Sequence, residues 1–163
     1  MPAHPCAVPG PSSGTSARPA AGYAAALTAL ALLFALRVGA QAIQRWLPLP
    51  FLPSFAAFQG SRLPYSILLP AQLAILAVML RLAWRGHMGV LRGRARTGRL
   101  LTILGWLYFA LMLARLAIGL TLPDAPAWFH APISAVFHLV LATFVLVLAR
   151  YHRAALPADF PMR

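Results

Sequence analysis

The chain has 163 residues, 61% of them hydrophobic and only 10% charged, where a soluble domain carries about 25% charged residues. That deficit, with its long apolar runs, excludes an ordinary soluble domain and predicts an integral membrane protein. The net charge is +12, from 14 arginines and no lysine against two acids, Asp124 and Asp159; these arginines flank apolar segments, where they set topology, so nucleic acid is excluded as a partner.

Residues 1–19, with five prolines and little that is apolar, are expected to form a disordered tail. Residues 20–151 then hold four apolar segments, read as helices over about 21–43, 66–84, 100–122 and 132–149. Each approaches the roughly 20 residues that cross a bilayer core. Backbone groups in lipid need internal partners, so the segments are helices and the fold class is all-α, an integral membrane four-helix bundle. The first segment contains Arg37 and, just after it, the small residues "VGA" at 38–40. Its apolar run of about 17 residues exceeds the roughly 7–15 of a signal peptide, so it is read as a retained span.

The loop from Gln44 to Ser66 has four prolines and five aromatics: Trp46, Phe51, Phe55, Phe58 and Tyr65. Two readings stand: a lid or docking surface over the bundle, or an aromatic belt lying at headgroup level. After the second segment, "RGHMGVLRGRARTGR" (85–99) contains Arg85, Arg92, Arg94, Arg96 and Arg99 and no acid. The positive-inside rule makes this loop cytoplasmic and, with four spans, both termini too. Arg18, Arg150, Arg153 and Arg163 agree, while Arg45 and Arg62 oppose. The five loop arginines are also candidate lipid-headgroup ligands, at about 1 kcal/mol each.

The third and fourth segments complete the bundle, and residues 152–163 form a short C-terminal tail. "ALLFALRVG" (31–39) resembles "ALMLARLAIG" (110–119), and the second and fourth segments end in "LRLAWR" and "LVLARYHR". This suggests a 2+2 repeat of helical hairpins about an axis along the membrane normal.

Counting depth from the predicted outer ends puts Arg37, Gln72, Arg115 and His138 at one level, about 9–10 Å below the outer boundary at 1.5 Å per residue. Gln41 shares a face with Arg37, Ser134 shares one with His138, and Asp124 lies just beyond the third segment as a counter-ion for an arginine. Ionisable residues in a membrane usually face the bundle interior. These seven residues therefore form a candidate pocket for an anion or a carbonyl-bearing ligand. Two other readings remain open. The arginines snorkel to the headgroups and the others act singly, or the arginines meet a partner subunit's acid.

The only cysteine, Cys6, forms no internal disulfide, and no Cys/His zinc spacing occurs, so no metal site is expected. Only one histidine, His138, lies well inside a span, too few for a two-helix haem site. A chain without glutamate is a poor proton pump. Ser134, His138 and Asp124 lack any further sign of a hydrolytic triad. No cofactor or reaction is legible.

The leading expectation is a small accessory or subunit protein of a larger membrane complex. Its outer-half polar cluster would bind a partner, a lipid headgroup or a quinone-like ligand. The alternative is a membrane enzyme or transporter for a lipophilic anionic molecule. The abundance of Ala, Arg, Pro and Gly is of the kind GC-rich genomes produce and gives a plain cause for arginine over lysine; the expected location is a bacterial inner membrane.

Overall fold

The computed structural model describes residues 17–58, 63–126 and 128–156. The helices are α1 (Ala17–Trp46), the short α2 (Phe55–Phe58), α3 (Tyr65–His87), α4 (Ala95–Thr121) and α5 (Pro132–Ala154). Four of them contain apolar spans of 23 to 27 residues, long enough to cross a membrane. The expected 1–19 tail falls largely on residues outside this description, and so does most of the 152–163 tail.

The helices run past their predicted bounds because polar residues extend them beyond the apolar stretch. The end of α3 shows why. Gly89, at φ 65°, occupies the left-handed position after the helix, where glycine has no Cβ penalty. Its N–H donates to the Gly86 carbonyl, and the Val90 N–H donates to the Arg85 carbonyl. This double closure satisfies the last carbonyls and stops the helix.

The four spans pack in the order α3–α1–α5–α4. Consecutive spans alternate in direction, and α1 and α5 form the central pair. Along α1, Ala24, Leu27, Ala31, Phe34, Val38 and Gln41 are all at most 4% exposed. Their alternating spacing of three and four is the seam of a coiled-coil-like contact. Leu27, Ala31, Phe34 and Val38 pack with Met79 and Ala83 of α3 and with Phe144 and Leu148 of α5.

A central helix needs two such seams, and α5 has both. Ser134, Phe137, Leu141, Phe144, Leu148 and Tyr151 make one, centred on the core shared with α1. Ala135, His138, Ala142, Val145, Ala149 and His152 make the other. This second seam meets α4 at its glycines: a Cβ on Gly105 would lie 3.3 Å from Val145 Cγ1 and one on Gly98 would lie 3.4 Å from His152 Cβ. Small residues let helices approach closely where lipid supplies no hydrophobic drive. The outer faces of α3 and α4 expose Ile67, Leu73, Ile103, Leu107 and Leu111, as lipid-facing helices do.

Among the described residues no Cα of α3 comes within 8 Å of one in α5, nor any of α1 within 8 Å of one in α4, so this open row has two inter-helix clefts. One lies between α3 and α5 with α1 behind it. The other lies between α1 and α4 with α5 behind it.

Candidate functional site

The cleft between α3 and α5 holds the polar cluster. Arg37 is 7% exposed, Gln72 6% and Ser134 5%, while Gln41 is fully buried. Arg37 Nη1 donates to Gln41 Oε1 at 3.3 Å, and Gln72 Nε2 donates to the same oxygen at 3.1 Å. Arg37 Nη2 donates to the Phe58 carbonyl at 3.1 Å, and the guanidinium sits 5.3 Å from the Phe137 ring centroid. The i, i+4 spacing of Arg37 and Gln41 puts both on one face of α1. Gln72 reaches across from α3.

This cluster is incompletely satisfied. Arg37 Nε, Gln41 Nε2 and Gln72 Oε1 are buried and have no hydrogen-bond partner among the described residues. Each such orphan costs roughly 1–3 kcal/mol. Arg37 and Gln72 line a cavity of about 130 Å³ together with Ser134 and His138. Its remaining wall is apolar, with Phe34, Phe58, Leu68, Phe137 and Leu141.

The loop expected as either lid or belt is folded at this end. Trp46 and Tyr65 stack edge-on at 5.9 Å, and Phe55 and Tyr65 at 5.2 Å. Gln44 accepts the Leu49 N–H at 3.0 Å, so it serves the loop rather than the Arg37 cluster. These contacts tie the end of α1, helix α2 and the start of α3 together. They seat Phe58, 5% exposed, against the cavity. The Phe58 carbonyl was not foreseen as an arginine partner, since any residue type presents one.

On α5, His138 lines the cavity and its Nδ1 lies 2.7 Å from the Tyr108 hydroxyl of α4. The direction of that hydrogen bond depends on the imidazole tautomer. Tyr108 thus connects the second seam to the site, a role with no sequence signature beyond its polarity on an apolar helix.

Arg115 departs from the group. It is 5% exposed, but its Nε and Nη2 donate to the Trp128 carbonyl at 3.2 and 2.7 Å, and its guanidinium lies 4.7 Å from the Trp128 ring centroid. Gly119, one turn along the same face, allows this approach: a Cβ there would strike the Phe129 carbonyl. Arg115 therefore clasps the second aromatic turn onto α4. Asp124 is exposed in the turn after α4, and neither it nor Arg115 lines the cavity. The contacts that Arg115 makes with Trp128 are to its carbonyl and its ring, in the turn that follows α4. Of the seven predicted residues, four line one cavity, Gln41 lies directly behind it, and two stand apart.

At the opposite end, Arg85, Arg92, Arg94, Arg96 and Arg99 are all exposed, spread from the end of α3 to the start of α4. Arg94 precedes α4 and Arg96 and Arg99 lie in its opening turns, with no acid in the first. Cations there oppose the helix dipole, so helix stability is not the reason for them.

Among the described residues, no group of three or more His, Cys, Asp or Glu side chains is placed to hold a metal ion. Compared with protein-family models, curated proteins and solved structures, the chain matches none.

Proposed function

We propose that this protein is a small accessory or subunit protein of a bacterial inner membrane. Its Arg37 cavity binds the head of a lipophilic, acceptor-bearing molecule, such as a quinone-like ring or a lipid headgroup. The observation that carries this reading is the set of buried, partnerless polar atoms on Arg37, Gln41 and Gln72 beside an apolar cavity. Of the two that line the cavity, Arg37 offers its Nε as a donor, which favours a carbonyl or phosphate oxygen, and Gln72 offers its Oε1 as an acceptor. The aromatic and aliphatic wall favours a ring or chain. A cavity of about 150 Å³ accommodates a benzene-sized ring, so the space here suits the head of a ligand whose tail extends toward lipid between α3 and α5.

The test is native mass spectrometry of gently solubilised wild type beside Arg37→Ala and Gln72→Leu. The wild type is expected to carry a small molecule that both variants lose. Loss of a protein subunit instead would make the cluster an assembly surface. Identical spectra from all three would overturn the reading.

A further inference from the structure

The second cleft, between α1 and α4, is a separate feature at the other end of the molecule. It measures about 600 Å³. Its apolar wall includes Trp106, Phe109, Leu146 and Val147, and Arg150 and Arg153 stand at its rim. Arg153 Nη1 is within 3.4 Å of Thr102 Oγ1, which orients it across the cleft toward α4. A neighbouring hollow of about 280 Å³ shares Thr102 and Arg153 and adds Arg99. Arg150 and Arg153 thus line the cleft, Arg153 and Arg99 line the hollow beside it, and no described acid lines either.

We propose that this cleft is a binding site for an anionic phospholipid. The acyl chains lie along Trp106, Phe109 and Val147, and the phosphate rests among Arg99, Arg150 and Arg153. Charge complementarity selects this occupant. A groove that faces hydrocarbon takes acyl chains, and a rim of guanidinium groups takes phosphate oxygens by paired hydrogen bonds. A zwitterionic lipid fits the walls equally well but presents a choline or ethanolamine cation to the same rim. Basic pockets between membrane helices bind anionic headgroups on this logic. The site is independent of the Arg37 cavity, which lies toward the aromatic loops.

The experiment titrates phosphatidylglycerol or phosphatidylcholine into full-length protein in neutral detergent, reading bound lipid by native mass spectrometry. Three proteins are compared: wild type, R150Q/R153Q, and R45Q/R81Q, which removes equal charge at exposed positions outside the cleft. Wild type is expected to prefer phosphatidylglycerol. R150Q/R153Q is expected to weaken that binding by about 30-fold, from two phosphate-facing arginines, while R45Q/R81Q stays within about twofold of wild type. Equal losses in the two double variants would reduce the effect to net charge and overturn the site. So would wild type binding both lipids alike. Both arginines of the rim pair are exposed, so their replacement leaves the core intact. R150K/R153K, which keeps the charge, is expected to recover most of the preference.

Discussion

At Arg37 the cost of a buried charge and the proposed binding role can be measured apart. An arginine at the bilayer centre costs about 2.5–3.5 kcal/mol to insert, and Arg37 recovers part of this through Gln41, the Phe58 carbonyl and the Phe137 face. Arg37→Met removes both the cost and the gains. We expect it to change unfolding free energy, measured by denaturant titration in micelles, by no more than about 1 kcal/mol. Ligand retention is expected to vanish in the same protein. A loss of several kcal/mol would make Arg37 a structural residue. The Tyr108–His138 contact is tested by a double-mutant cycle of Tyr108→Phe and His138→Phe. Interhelical hydrogen bonds in membranes average about 0.6 kcal/mol and reach about 1.7. A favourable coupling in that range is expected, and none would sink the proposed link between α4 and the cavity.

At the scale of the helix, glycines do different work at different places. Gly39 on α1 has no atom within 4 Å of a new Cβ, so Gly39→Ala should stabilise by roughly 0.5–1 kcal/mol. A Cβ on Gly105 would lie 2.7 Å from Leu146 Cδ2, the free end of a side chain that can rotate. Gly105→Ala should cost roughly 1–2 kcal/mol. A Cβ on Gly119 meets the Phe129 backbone carbonyl instead, which has no rotamer to change. Gly119→Ala should be the most damaging of the three and should push the 128–129 turn away from Arg115. Amide hydrogen exchange of that turn is expected to rise in Gly119→Ala and in Arg115→Ala, but not in Gly105→Ala. Unchanged protection would mean that the clasp does not hold the turn.

The whole molecule is an open row rather than a closed ring of helices, and that shape creates its two clefts. Their placement at opposite ends makes orientation a functional matter. The positive-inside rule predicts a cytoplasmic location for the 85–99 loop. In a Cys6→Ser background, Arg94→Cys is expected to react with a membrane-impermeant maleimide only after the membrane is opened, and Ser54→Cys without opening. The reverse pattern would invert the orientation and place the proposed phospholipid site in the outer leaflet.

Several of these features were legible residue by residue. Four spans follow from apolar length, because lipid leaves the backbone no other way to satisfy itself. That Arg37, Gln72 and His138 can line one cavity follows from counting along their helices, because helical rise is constant. The seams of α1 and α5 were also present in the spacing, as alternating threes and fours, though a Leu/Ala-rich sequence offers many such patterns. Gln41, one turn from Arg37, was legible as its neighbour, but the backbone partners of the two arginines were not. Both meet backbone carbonyls, of Phe58 and Trp128, and every residue carries a carbonyl.

Composition and periodicity by themselves determined that this chain is four apolar helices with a polar level in one half and a basic loop at one end. Hydrophobicity and helical rise are local quantities, and they add along the chain. Only the tertiary structure decided the order α3–α1–α5–α4, which separates Arg115 from Arg37 and opens one cleft beside the glutamines and another beside Arg150 and Arg153. Neighbour choice depends on how small and large side chains interlock between helices, and that is a property of pairs of surfaces rather than of any one stretch.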